Sequence, residues 1–199
     1  MNEPTHETNT MAGLNGRYSS AEQAERLALG LPTTEPALPG SLPRPQRETV
    51  KTRAIKAGGV LNEADDYFPI ASAFSRGLRV DLGCGTSHLL ISGTSSVGTE
   101  GETLYAGDFR AQLWRTYHNI TKLLEAEGAT WHDIVRTTCY LRDIERDYDE
   151  FNQIRNEFFL ALGLDPLPAS TGIQARICRS DLLIEIEAHA ILERGSCKA

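Results

Sequence analysis

The chain has 199 residues, 40% of them hydrophobic, and a formal net charge of −7 at pH 7, a composition typical of soluble globular proteins. No apolar run approaches the roughly 20 residues that a membrane helix needs, so no membrane protein is expected. The negative charge argues against nucleic-acid binding, because such proteins neutralise phosphates with Lys and Arg. The first 20 residues carry Glu3 and Glu7 and no apolar core, so no secretory signal is predicted.

The cysteines and histidines show no metal-ligand spacing. The four cysteines are far apart and form no C-x-x-C pair, which predicts neither a zinc site nor a disulfide framework. This usage favours reduced thiols in a cytoplasmic protein. His88, His118 and His132 are dispersed, so no metal site is predicted.

Composition divides the chain into an N-terminal extension, residues 1–70, and a folded unit, residues 71–199. Six of the nine prolines lie in the first 45 residues. Such a stretch buries little apolar surface, so the extension is predicted to be partly disordered. One short helix is predicted within it, with Ser20 as N-cap, Gln23 completing a capping box and Gly30 as the stop.

The folded unit alternates between strand and helix periodicities. A hairpin is predicted over 78–91, because two alternating apolar runs flank the turn Gly83-Cys84-Gly85-Thr86. The other predicted elements, in chain order, are a loop over 92–107, a helix over 108–128 capped by Asp108, a strand over 134–141, a helix over about 147–163 and two strands over 170–177 and 182–192.

The order ββ-α-β-α-ββ predicts an α+β fold in which two helices cover one face of a mixed sheet. Side chains alternate along a strand, so the last strand presents Glu185, Glu187 and His189 on the other face. Three titratable groups do not form a dry core within one chain. This face is therefore expected to meet water, a partner subunit or a ligand.

The segment from Val80 to Thr86 is similar to the glycine-rich first motif of S-adenosylmethionine-dependent methyltransferases. That motif is informative only between a strand and a helix. Here residues 88–91 read as a second strand, so a hairpin turn is preferred.

Several short motifs follow one another along the folded unit. They are Phe74-Ser75, Ile91-Ser92-Gly93, Gln112, Asn119-Ile120, Tyr140-Leu141-Arg142-Asp143, Phe151-Asn152, Phe158-Phe159, Pro168-Ala169 and Glu185-Ile186-Glu187-Ala188. Together they resemble the Rid family, also called the YjgF/YER057c/UK114 family. The resemblance implies a chorismate-mutase-like fold and a homotrimer whose sheets form a central barrel. Small-molecule substrates would occupy clefts between subunits.

The family's best-known activity is hydrolysis of reactive imines and enamines to keto acids and ammonia, with no metal or organic cofactor. In the imine deaminases an arginine two residues after the Pro of a P-x-R-S motif grips the substrate carboxylate. That position is Ser170 here. Its loss removes a charge-assisted pair worth about 1.5–3 kcal/mol. Arg176 or Arg179 is a candidate replacement, the alternative being a solvated or inter-subunit charge for each.

Other family positions divide into changed and retained ones. Gly172 stands where the family usually has a cysteine, and Phe74 stands where it usually has a tyrosine. Gly93, Asn152 and Glu185 match the family residues. The resemblance therefore implies a substrate-binding set that comprises Phe74, Gly93, Asn152, Ser170, Arg176 and Cys178.

The run over residues 177–187 is similar to the C-terminal segment of chorismatases, as are Gly93-Thr94-Ser95-Ser96 and Gly107-Asp108. In those enzymes acidic residues near this strand protonate the enol ether of chorismate. Cys178 and Glu185 match, and His189 stands at the second acidic position. An imidazole titrates nearer neutrality than a carboxyl group.

Both resemblances converge on the same place. We expect Glu185 to transfer a proton or position water, and His189, from the chorismatase resemblance, to be a second acid or base. Alternatives stay open for each group: Glu185 and Glu187 could form ion pairs across the trimer, His189 could be structural, and Cys178 could be a buried hydrophobe.

The resulting hypothesis is a cofactor-independent hydrolase that acts on a small enamine, imine or enol-ether metabolite. The alternatives are a chorismatase-like lyase or hydrolase, and a non-catalytic trimer that binds or senses a ligand without turnover. RNA cleavage is sometimes attached to the family, and the charge of −7 argues against it here. No nucleic-acid or membrane partner is expected.

Overall fold

The computed structural model describes residues 19–30, 50–63 and 73–195. It divides the chain into two compact units, residues 1–46 and residues 47–199. In the first unit, helix α1 spans Ser20–Ala28, and Gly30 follows it with φ of +67°, as the capping pattern predicts. The predicted disorder of the Pro-rich stretch falls on residues outside those described.

A six-stranded sheet forms the second unit, in the order β1-β2-β3-β6-β4-β5. Neighbouring strands are antiparallel, except that β4 and β5 are parallel and connected through a helix. The elements are β1 (Lys51–Ala54), β2 (Gly77–Gly83), β3 (Thr86–Ser95), α2 (Phe109–Ala126), β4 (Ile134–Leu141), α3 (Ile144–Ala161), β5 (Ala169–Gln174) and β6 (Ile184–Glu193).

The core lies between the two long helices and one face of this sheet. Ile184 and Ile186 of β6 are buried there, together with Leu113 of α2 and Phe151 of α3. The neighbouring β6 side chains face the other way and are half-buried or exposed. The predicted α+β class and the predicted two-faced last strand are confirmed.

Local signals placed most helix and turn boundaries. Asp108 caps α2 by accepting a hydrogen bond from the Ala111 amide at 3.0 Å. Cys84, at φ of +52°, lies in the β2–β3 turn, so the glycine-rich segment is a hairpin turn. Helix α3 begins earlier than predicted, because Asp143 accepts from the Arg146 amide and caps it there.

The boundary of the folded unit differs from the predicted one after residue 70. Strand β1 pairs with β2 from Lys51 opposite Asp81, and Ile55 and Leu61 are buried in the core. The second unit therefore begins at residue 47. All four β1 side chains are exposed, so this edge strand lacks the apolar alternation that identifies strands in a sequence.

The predicted reduced state of the cysteines is wrong for Cys84, which is disulfide-bonded. Cys139 and Cys178 are free thiols. A disulfide needs proximity in space rather than in sequence, so the wide spacing did not reveal it. The cytoplasmic location stays a prediction. None of the helices in the described ranges is long and apolar enough to cross a membrane.

Candidate functional site

A cavity of about 520 Å³ opens where β2 begins, β3 ends and β6 begins. Its size is that of a small-molecule site, and its walls combine apolar side chains with a few charged groups. The lining residues are Phe74, Arg76, Ser92, Gly93, Ser95, Val97, Cys178, Arg179, Leu182 and Glu185.

Glu185 lies directly against the backbone of Gly93. A Cβ atom at position 93 would stand 2.0 Å from Glu185 Oε1 and 2.8 Å from its Cδ. A bulge between Ile91 and Thr94 shifts the β3 register so that Ser95 faces Glu185, and Ser95 Oγ donates to Glu185 Oε2 at 3.5 Å. Gly93 therefore leaves the space that the carboxyl group occupies.

The pKa of Glu185 is raised. Burial is the main cause and the nearby charge of Glu187 adds to it, whereas the Ser95 hydrogen bond and the charge of Arg76 oppose it. A carboxyl group with a raised pKa can exchange a proton with a ligand closer to neutral pH. Perturbed carboxyl groups in clefts are typical of acid–base sites.

Arg76 is a charged residue in the wall of this cavity, and no sequence pattern indicated it. It is 5% exposed, and it donates to Asn62 through Nε at 2.8 Å to the carbonyl and through Nη2 at 2.7 Å to Oδ1. Its guanidinium carbon lies 5.4 Å from the centre of the Phe74 ring. Asn62 belongs to the predicted extension, so only the fold brings it to the site.

The structure separates the two replacement arginines. Arg179 lines the cavity and donates through Nη1 to the Gly101 carbonyl at 2.5 Å. Arg176 is exposed and is not among the lining residues of this cavity. The geometry thus favours Arg179 over Arg176 for contact with a ligand there.

His189 lies four residues beyond Glu185 on the same open face of β6. Its register partners are Leu90 on β3 and Arg136 on β4. Four residues along a strand span about 13 Å, and His189 is not among the residues that line the cavity. Within one chain, the two predicted catalytic groups do not share that cavity.

Ser170 lines a second, smaller pocket of about 280 Å³ between β5 and α3. Ser170 Oγ accepts a hydrogen bond from Thr137 Oγ1 at 3.0 Å. Arg155 links Ser170 to Asn152, because its Nη1 donates to Ser170 Oγ at 3.5 Å and its Nη2 donates to Asn152 Oδ1 at 2.7 Å. The pocket is lined by Tyr148, Phe151, Arg155, Asn156, Phe159, Leu167, Pro168, Ser170 and Gly172.

Glu185 and Ser170 therefore belong to two separate groups of predicted site residues, on opposite faces of the sheet, and Arg176 and His189 line neither pocket. Ser170 contacts Thr137 and Cys139, which are buried on the helix-covered face. Glu185 lies on the open face, where Glu187 accepts a hydrogen bond from the Tyr140 hydroxyl at 3.0 Å. One chain alone does not bring Ser170 and Glu185 into one pocket.

No group of three His, Cys, Asp or Glu side chains within the described ranges could hold a metal ion. The polar groups of the two pockets are instead guanidinium, carboxyl, hydroxyl and amide groups. These can bind an anion by charge-assisted hydrogen bonds and transfer protons.

Comparisons with known proteins agree with this architecture. The yjgF gene product of E. coli superposes with a TM-score of 0.55 at 27% identity, over 70% of this chain and 98% of that one. E. coli TdcF with bound serine superposes with a TM-score of 0.57 at 22% identity, over 71% and 99%.

Curated sequences lead to the same group. A RutC family protein of Pyrococcus abyssi is 30% identical over 105 residues, which cover 53% of this chain and 79% of that protein. A 2-iminobutanoate/2-iminopropanoate deaminase of Dermatophagoides farinae is 23% identical over 103 residues, or 52% and 77%. The sequence model described as Endoribonuclease L-PSP matches residues 71–192. The chain therefore belongs to the Endoribonuclease L-PSP family, which is the Rid family that its motifs resemble.

Proposed function

We propose that the protein is a cofactor-independent hydrolase of small imines or enamines, with Glu185 as its proton-transfer group. The observation that carries the proposal is the Glu185 carboxyl, held against Gly93 inside a cavity and raised in pKa by burial. The similarity to an imine deaminase supports the same reaction class.

Imine hydrolysis adds water across a C=N bond and then breaks the C–N bond. The Glu185 carboxylate accepts a proton from the water whose oxygen attacks the imine carbon, and returns that proton to the nitrogen. The remaining hydroxyl proton also reaches the nitrogen as ammonia leaves, and a carbonyl compound remains. An enamine first takes a proton on carbon from the protonated carboxyl group. Burial raises the pKa of Glu185, which favours the protonated carboxyl group that the enamine step needs.

The complete cleft is proposed to form between subunits of a homotrimer. The Glu185 group and the Ser170 group lie on opposite sheet faces, so a neighbouring chain is needed to bring one group to the other. We expect the purified protein to have the mass of three 21.9 kDa chains in light scattering after size-exclusion chromatography. A monomer that hydrolyses substrate at full rate would contradict this arrangement.

The activity test is a mass-spectrometric assay of keto-acid release from enamines generated in place from amino acids. Wild type is compared with Glu185→Gln and with Glu193→Gln, an exposed carboxyl at the end of the same strand. General acid–base catalysis contributes roughly 10²–10⁴-fold, so Glu185→Gln should lose about that much and Glu193→Gln should match wild type. Equal rates for wild type and Glu185→Gln would refute the assignment.

Two further candidate functions are tested in the same assay. Cys178 and Glu185 line one cavity, which favours a chorismatase-like reaction, so chorismate is included as a substrate. Chorismate turnover that Glu185→Gln abolishes would identify that activity. Ser170 in place of the family arginine favours a ligand-binding trimer without catalysis. Saturable binding of a 2-oxo acid with no turnover of any substrate would identify that function.

A further inference from the structure

Helix α3 places a guanidinium beside the position where the family arginine is missing. Arg155 Nη1 donates to Ser170 Oγ at 3.5 Å, and Nη2 donates to Asn152 Oδ1 at 2.7 Å. Its guanidinium carbon lies over the Phe151 ring, 5.1 Å from the centre. The ring and Asn152 hold the guanidinium plane in one orientation, and Arg155 lines the smaller pocket.

The charge of Arg155 is not neutralised by the residues around it. Within residues 19–30, 50–63 and 73–195, no carboxylate oxygen lies within 4.0 Å of its nitrogens, and the two acceptors of its hydrogen bonds, Ser170 Oγ and Asn152 Oδ1, are neutral. Another α3 arginine differs in this respect, since Arg146 Nε lies 2.6 Å from the Asp147 carboxylate. Arg155 also keeps further N–H donors, because a guanidinium carries five.

The pocket around this cation has the chemistry of a carboxylate site. Phe151 and Phe159 are buried and, with Leu167, supply apolar walls, and apolar surroundings strengthen a charge pair. Ser170 Oγ accepts from Thr137 at 3.0 Å, and its contact with Cys139 Sγ is long, at 4.0 Å, so its hydroxyl proton can turn to a ligand oxygen. A guanidinium and a hydroxyl side by side match the two oxygens of a carboxylate.

We propose that Arg155 is the carboxylate-binding residue of this protein, supplied by helix α3 instead of strand β5, with Ser170 as its hydroxyl partner. The inference rests on the proposed function and narrows its substrates to small 2-imino or 2-enamino acids, whose products are 2-oxo acids. Arg179 then lines the Glu185 cavity and does not bind the substrate carboxylate.

Calorimetric titration with pyruvate tests the assignment, because a product-like ligand binds without turnover. Pyruvamide is the matched neutral ligand. The variants are Arg155→Met, Arg155→Lys and Arg155→Met with Ser170→Arg. Arg110→Met is the control, since Arg110 is an exposed arginine that pairs with Glu150 on α3. Thermal melting verifies that each variant is folded.

Loss of a charge-assisted pair should weaken pyruvate binding by about 10- to 100-fold in Arg155→Met. Arg155→Lys should fall between wild type and Arg155→Met, because a lysine presents a single point charge in place of a planar fork. Ser170→Arg should restore binding in the Met background. Arg110→Met should bind pyruvate like wild type. The affinity of pyruvamide for every variant should be no higher than the affinity of pyruvate for Arg155→Met, because pyruvamide carries no carboxylate.

The outcomes separate this inference from the proposed function. Pyruvate binding that is unchanged in Arg155→Met and Arg155→Lys, or absent from wild type, overturns the role of Arg155 even when Glu185-dependent turnover is observed. Arg155-dependent binding in a protein that hydrolyses no substrate sustains the carboxylate site and refutes the hydrolase.

Discussion

Gly93→Ala should displace the Glu185 carboxyl group while leaving the fold intact. The new methyl carbon would lie 2.0 Å from Glu185 Oε1, and ordinary contacts begin at 3.4 Å, so the oxygen must move by more than 1 Å. The atoms in the way are the end of a flexible side chain, which can rotate away at a small cost in stability. The carboxyl group then leaves the place where it faces Ser95.

A displacement of 1 Å in a catalytic group costs about 10²-fold in rate, so turnover in Gly93→Ala should fall by about that factor. The displaced carboxyl group gains solvent, which removes the main cause of its raised pKa. Any residual activity should therefore keep its rate to lower pH than wild type does. The assay is kcat/KM against pH, with thermal melting to show that the variant is folded.

Gly59→Ala is the matched control, because a Cβ at position 59 meets no atom within 4 Å. It should leave both turnover and the pH profile unchanged. If Gly93→Ala turned over substrate at the wild-type rate under conditions in which Glu185→Gln is inactive, the argument that this close approach positions the carboxyl group would be refuted.

Three predictions concern stability. Glu185→Gln should raise the melting temperature at pH 8 but not at pH 4. The pKa of Glu185 is raised in the folded state, so the stability of the wild type falls as the pH rises through that pKa. Equal shifts in melting temperature at both pH values would contradict this. Asn62→Ala removes the Oδ1 acceptor of buried Arg76 and should cost about 1–3 kcal/mol in urea unfolding, together with weaker ligand binding. Ile55→Ala should cost about 2–5 kcal/mol, because Ile55 is fully buried; a change below 1 kcal/mol would show that the β1 segment is not part of the core.

The helices, the hairpin and the two-faced last strand were predictable because their signals are local. Asp108 caps α2 from the adjacent position, and the alternation along β6 follows from strand geometry alone. Periodicity did not identify β1, because all its side chains are exposed and the strand that pairs with it, β2, lies more than 20 residues along the chain.

For the candidate site, residue types were predictable and their grouping was not. Phe74, Gly93, Cys178 and Glu185 meet in one cavity as the motifs implied, but His189 lies about 13 Å along the strand from Glu185. The disulfide at Cys84 and the contact of Asn62 with Arg76 also join positions without a shared local pattern.

The sequence by itself determined the α+β order, the family and the acidic face of β6, because periodicity, caps and ordered motifs are properties of neighbouring residues. Only the tertiary structure decided that Asn62 orients Arg76 in the Glu185 cavity and that Arg155 stands beside Ser170. Burial and electrostatic environment depend on which distant segments pack together, and a linear pattern carries no record of those distances.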